Sequence, residues 1–295
     1  MLKNNDGIAL VMVLMIIAIL AAVVAEFAYR VHNETISLYS WRDSQRLSGE
    51  ASSGIKVGEQ YLVDTVSRFK YTYPGRLDLP LPDVTGDGMD SMVISVIDEN
   101  AKFNINKLVE PNDTPNVKNI ERLGRLFNIL EIDERLVERI VDWVDRNKEE
   151  RVSGSERSAK NGYLYSIDEL LLINGMTTEI YNKLLPHVTI FGDGNININS
   201  AGIYVLMSMS SDISEELALR IVNYRELKPF QDASHIQRVA GFSGELGTSL
   251  MGSITVKGNA FHIIAVSSSD RIRKQLEAAI ELNGRTVTYK YWRES

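Results

Sequence analysis

Eighteen consecutive residues, Ile8 to Ala25, carry no charged or polar side chain. They read IALVMVLMIIAILAAVVA. As an α-helix this run is about 27 Å long, close to the thickness of a hydrocarbon core. It is too uniformly apolar for a surface helix, which keeps a polar face. A cleaved secretory signal is the alternative for such a segment, and it calls for small residues at a cleavage site just beyond the run. Here Ala25 is followed by Glu26-Phe27-Ala28-Tyr29-Arg30, and the helical pattern continues unbroken. The segment therefore predicts a single membrane span, about residues 8–28, retained in the protein.

Mean hydropathy over the 295 residues is only -0.11, which excludes a polytopic membrane protein. Beyond the span, Val31, Ile36, Leu38, Trp41, Leu47, Ile55, Val57, Tyr61, Leu62 and Val66 recur at helical spacing. No proline precedes Pro74. Gly49, Gly54 and Gly58 weaken the helix without ending it. One long helix over residues 8–69 is expected, apolar at first and amphipathic later. Residues 71–89 hold Pro74, Pro80 and Pro82 with several glycines and read as a breaker region. Met92 to Ile97 reads as a strand, with Lys102 to Asn106 pairing with it as a hairpin. The C-terminal part, with Ile254 to Val256, Ala260 to Ser267 and Arg285 to Trp292, is again strand-like, and Ile272 to Leu282 fits either a strand or a short helix. The predicted fold is α+β: a long N-terminal helix on a small antiparallel sheet built from residues 70–103 and 252–295. A large all-α insertion, residues 104–251, interrupts the sheet.

The insertion repeats itself. Asn104-Ile105-Asn106-Lys107-Leu108 corresponds to Asn197-Ile198-Asn199-Ser200-Ala201. Ile132 to Val141 corresponds to Ile213 to Val222, and Ser166 to Leu170 and Ala233 to Ile236 each lead to a glycine, Gly175 and Gly241. The second copy resembles a helix-hairpin-helix unit of DNA-binding proteins, which makes a membrane-anchored DNA-uptake protein the rival reading. That chemistry needs a glycine hairpin whose backbone N–H groups approach a phosphate. The hairpin positions here are Ser210-Ser211-Asp212-Ile213 and Leu130-Glu131-Ile132-Asp133, acidic and without glycine. Residues 104–251 hold 16 Lys/Arg against 22 Asp/Glu, so nearly all of the chain's net charge of -7 lies in this block. A polyanion would be repelled, and no nucleic-acid partner is expected.

A short polar leader, then Gly7, then an apolar helix running into an amphipathic one resembles the N-terminus of a type IV prepilin or pseudopilin. In that family a membrane peptidase cuts after the glycine. The resemblance implies a leader of residues 1–7, cleavage between Gly7 and Ile8, and N-methylation of Ile8. Most pilins carry glutamate at the fifth mature position, which is Met12 here. The K-type minor pseudopilin of the type II secretion system characteristically lacks it. Asp142-Trp143-Val144-Asp145, Tyr163 to Leu170, Asn197 to Ala201 and Phe103 to Asn106 are similar to stretches of that family. The resemblance implies a non-enzymatic subunit at the tip of a pseudopilus, anchored in the bacterial inner membrane with its folded part in the periplasm. Implied partners are the I-type and J-type minor pseudopilins, other pseudopilins and the prepilin peptidase. A minor pilin of a related type IV pilus system is the nearest alternative.

Few residues suggest chemistry. Asp142, Asp145, Asn147, Glu149 and Glu150 crowd oxygen ligands into one stretch, with Glu156 a little further on. Calcium takes six to eight such oxygens. The family resemblance likewise implies calcium, with Asp142, Asp145, Asn147, Glu149 and Glu156 as candidate ligands. Arg146, Lys148 and Arg151 interleave, and Arg157 stands where the family carries an acidic residue. A second acidic loop, Asp83 to Asp90, lacks EF-hand spacing. The four histidines are scattered, cysteine is absent, and the chain has no Walker loop, GxSxG or dinucleotide fingerprint. Nothing in the sequence supports an enzyme.

Overall fold

The computed structural model describes residues 6–81 and 91–295. The start of the expected leader and the acidic loop Asp83 to Asp90 lie outside the described residues. Helix α1 runs unbroken from Asp6 to Arg68. It is followed by strands β1 (Arg76–Leu81) and β2 (Ser91–Asp98). The chain then leaves the sheet for a mainly helical block. Its elements are β3 (Phe103–Asn104), α2 (Val117–Ile129), α3 (Arg135–Val144), α4 (Thr178–Leu184) and β4 (Val188–Thr189). These are followed by β5 (Ile196–Asn197), α5 (Ile203–Ser208), α6 (Glu215–Leu227), α7 (Glu245–Leu250) and β6 (Ile254–Thr255). Strands β7 (Ala260–Ser268), β8 (Arg273–Asn283) and β9 (Thr286–Glu294) complete the sheet, whose order is β1-β2-β7-β8-β9 and whose pairs are all antiparallel.

Two expectations change. Lys102 to Asn106 makes no hairpin with β2: Phe103 and Asn104 pair in parallel with Val188 and Thr189. The breaker region contains an edge strand, β1, with Pro80 inside it. An edge strand tolerates proline because one row of its N–H groups has no ladder partner to lose.

The second half of α1 lies on the sheet. Leu47, Ala51, Ile55, Leu62 and Val66 are buried at helical spacing. Ala51, Ile55, Leu62 and Val66 pack with Ile94, Val96, Ile263, Ala265, Leu276 and Ile280 from the sheet. Gly54 and Gly58 set the distance of approach. A Cβ on Gly54 would stand 2.9 Å from that of Ala265, and one on Gly58 would stand 2.8 Å from Ile263 Cγ2. The glycines that weaken the helix on propensity alone thus seat it on the sheet.

The sequence repeat is a structural repeat. Each copy opens on a two-residue parallel ladder, β3 with β4 and β5 with β6. Asn106 Nδ2 donates to Leu164 O and its Oδ1 accepts from Leu164 N. In the second copy Asn199 makes the same pair of bonds with Phe230. Arg139 donates to Asn174 O and Arg220 to Ala240 O, each carbonyl preceding a glycine of positive φ, Gly175 and Gly241. Each copy has its own apolar core, one around Phe127 and Ile140, the other around Phe230 and Phe242.

A buried polar clamp fastens both copies to the sheet. Asp98 ends β2 and is fully enclosed; its carboxylate accepts from Asn100 N, from Asn197 Nδ2 at 2.6 Å and from Thr72. Burial pushes its pKa up to about 6. Asn100 Oδ1 accepts from the N–H groups of Asn259 and Ala260, and its amide donates to Asp193 and to Asn195 O. The outgoing chain, the return and the crossing between the copies meet at this point.

Gly58→Val should lower stability by about 1–3 kcal/mol through overpacking against Ile263. Gly49 meets nothing within 4 Å, so Gly49→Ala should raise stability by up to about 1 kcal/mol. Thermal unfolding of the full chain in detergent checks both. Equal effects at the two positions would contradict a close helix–sheet approach at Gly58.

Candidate functional site

Among the described residues, the first half of α1 is buried against no other element. Large apolar side chains from Ile8 to Phe27 are 52–68% exposed. An 18-residue window of this helix has a mean hydropathy of 3.3, enough to cross a membrane, and none of it is buried within the molecule. Water is an unfavourable solvent for so much apolar surface, at roughly 25 cal/mol per Å². Gly7 and Ile8, the expected processing pair, lie in the first turns of the helix and are exposed. Met12 is 62% exposed and adds no charge to the apolar surface. The first charged side chains past the run, Glu26 and Arg30, pair with each other one turn apart.

The acidic stretch after α3 forms a second local site. Asp142 lies in the last turn of the helix and Asp145 caps it, its N–H donating to Val141 O. Both side chains are fully buried. Arg151 folds back over them: its Nη1 donates to Asp142 Oδ1 at 2.6 Å and to Asp145 Oδ2 at 2.5 Å. Asp142 Oδ2 also accepts from Arg151 N and from the Ser155 hydroxyl. Asn147 donates to Asp145 Oδ2. Glu149 is at the surface, with its backbone N–H on Asn147 Oδ1, and is not brought to the cluster.

Glu156 approaches from the following turn. Burial, and then the negative charge of Asp142, raise its pKa. Burial likewise raises Asp145, against the pull of Arg151. Among the described residues, both Glu156 oxygens, Asp145 Oδ1 and Asn161 Oδ1 are buried with no well-aligned hydrogen bond, and the Asn161 side chain beside Glu156 opposes the rise in its pKa. Unpaired buried oxygens are costly, because nothing replaces the water they have lost. Three carboxylates here share one guanidinium, a local deficit of two positive charges. Among the described residues, no three or more His, Asp or Glu side chains are grouped so as to hold a metal ion by themselves. The donor chemistry nevertheless fits a hard divalent cation, with orphaned oxygens supplied by Asp145, Glu156 and Asn161. Asn161 escapes a sequence reading because its backbone has an unusual positive φ of 54°, and neither motif nor spacing marks it.

The fold and this surface define a class first: a pilin-like protein whose folded body is carried on an apolar helix long enough to cross a membrane. Two family models described as type II secretion system (T2SS), protein K match residues 101–193 and 196–257, together just over half of the chain, and the chain belongs to that family. The boundary between the two matches falls at the crossing between the structural repeats. Protein K is a structural pseudopilin of the secretion system and not an enzyme. The type II secretion system protein K of Pseudomonas aeruginosa is 24% identical over 305 residues, covering 92% of this chain and 87% of the relative. A putative type II secretion system protein K of Escherichia coli is 24% identical over 227 residues, 66% of each chain. Among solved structures, a chain of the GspK-GspI-GspJ complex from the enterotoxigenic Escherichia coli type 2 secretion system has a similar fold. The TM-score is 0.66 at 17% identity, covering 87% of this chain and 98% of the other. The N-terminal apolar helix is consistent with a membrane anchor.

Proposed function

We propose that this chain is the minor pseudopilin at the tip of the type II secretion pseudopilus and that it acts in pseudopilus assembly and protein export. The observation carrying this reading is the bare apolar half of α1, continuous with a half seated on the sheet. A bilayer covers such a surface, and so does a bundle of similar helices from other subunits. Transfer between the two exchanges one apolar environment for another. The helix can therefore leave the inner membrane for a filament without exposing its side chains to water.

Processing between Gly7 and Ile8, with N-methylation of Ile8, belongs to this reading. The residue at position 12 supports a tip position. Glutamate there is useful where a neighbouring subunit supplies a positive terminal amine, and it is a buried unpaired charge where none does. Met12 carries no such requirement. The helical block would add bulk to the folded body, acceptable where no further subunit has to stack. The folded part would stand in the periplasm. The I-type and J-type minor pseudopilins are the proposed partners, supported by the complex in which the structural relative was solved. Co-expression of the full chain with both, followed by purification through a tag on this chain, should recover all three in one complex. Purification of this chain alone, while the other two associate with each other, would overturn the reading.

Calcium belongs to the same proposal. Asp142, Asp145 and Glu156 would hold it, with Asn161 adding an amide oxygen, and the ion would supply the missing positive charge. At a hundredfold excess over its Kd, calcium should stabilise the full chain by roughly 2.7 kcal/mol relative to chelator, and Glu156→Gln should remove most of that gain. Thermal unfolding in detergent with calcium or chelator is the check. An unchanged midpoint, together with no heat of calcium binding by calorimetry, would sink the assignment.

A further inference from the structure

The acidic helical block contains a cleft whose lining carries more cations than carboxylates. It has a volume of about 360 Å³ and lies between the two repeats, with the start of α2 on one side and residues 193–195 and 252–253 on the other. Lys107, Lys118 and Arg122 line it. Glu110 and Asp193 are also on its wall, each accepting from neutral amides, Glu110 from Asn116 and Asp193 from Asn100 and Asn195, so the three cations of the lining exceed its two carboxylates by one.

Arg122 is the unusual member. It is only 4% exposed. Its Nη1 donates to Asn119 Oδ1, while Nε and Nη2 are buried without a partner among the described residues. Those two atoms form one edge of the guanidinium, the fork that matches a carboxylate or phosphate through two parallel bonds. The neighbouring charge does not help: Arg125 is close enough to add to burial in pushing the Arg122 pKa down to about 10. Lys118 is also lowered, by burial and by Arg122. A buried, unpaired cation among other cations is a structure waiting for an anion, since the isolated charge is costly to keep.

We propose that this cleft binds a small oxyanion, a phosphate or a carboxylate, held by the free edge of Arg122 with Lys107 and Lys118 at its sides. Nothing in the proposed assembly requires this site, and the inference is independent of it. The test uses the full chain in an uncharged detergent, with chloride replaced at constant ionic strength by inorganic phosphate in one arm and acetate in the other. Thermal unfolding should show a rise in midpoint with at least one of them that chloride does not give, and the arm that responds identifies the source. Arg122→Met should weaken that response by roughly tenfold or more without lowering the midpoint in chloride. Lys118→Gln, at an exposed position, should weaken it severalfold and keeps the test decisive if the Met variant fails to fold. No rise in either arm, or an undiminished response in the foldable variants, would overturn the proposal.

Discussion

One helix carries two different surfaces, a bare apolar half and a half seated on a sheet, and the rest of the structure follows from that division. Helix α1 is continuous from Asp6 to Arg68, yet only its second half has a partner within the molecule. The seat is made by removing side chains, at Gly54 and Gly58, so that the helix backbone can approach Ala265 and Ile263 closely. Close seating fixes the helix rigidly to the sheet, and the bare half therefore projects in a defined direction from a folded body. A flexible linker in the same place would anchor the protein without orienting it. In the proposed function, the apolar half exchanges lipid for neighbouring helices while the folded half remains unchanged.

The added block is fastened in a different way. Its two cores are separate from the core under the sheet. The fastening is polar: Asp98 and Asn100 gather the outgoing strand, the returning strand and the crossing between repeats through bonds to Thr72, Asn197, Asn195 and Ala260. Buried polar networks of this kind specify one arrangement, because each donor left unmatched is costly. The acidic loop and the basic cleft depart from that rule in opposite ways. Around Asp142, Asp145 and Glu156 the negative charge is under-compensated; around Arg122 the positive charge is. Both are sites where the chain alone does not complete its own electrostatics.

Much of the architecture was legible in the sequence because it rests on long, regular patterns. The apolar run from Ile8, the heptad-like recurrence up to Val66 and the doubled Asn-Ile-Asn stretches each repeat a simple physical signal, and each corresponds to an observed element. The strand pairing of Phe103 was misjudged because a two-residue parallel ladder is too short to leave any pattern, and its partner Val188 is far along the chain. The clamp was also invisible: Asp98 and Asn100 read as ordinary turn residues until three distant segments are brought around them. Of the acidic cluster, Asp142 and Asp145 stand out as crowded oxygen ligands, and Glu156 is named only through the family resemblance. Arg151 was visible as an interleaved cation but not as the residue that bridges two carboxylates. Asn161 and Arg122 gave no signal, since being buried without a partner is a property of packing.

The central claim is that the bare half of α1 is a processed pilin helix and not a simple signal anchor. Mass spectrometry of the N-terminus, on protein made in cells that contain the prepilin peptidase, tests it most directly. The account predicts a chain that begins at Ile8, carrying one added methyl group. A chain that keeps its leader through Gly7, or one that begins near Ala28, would contradict it.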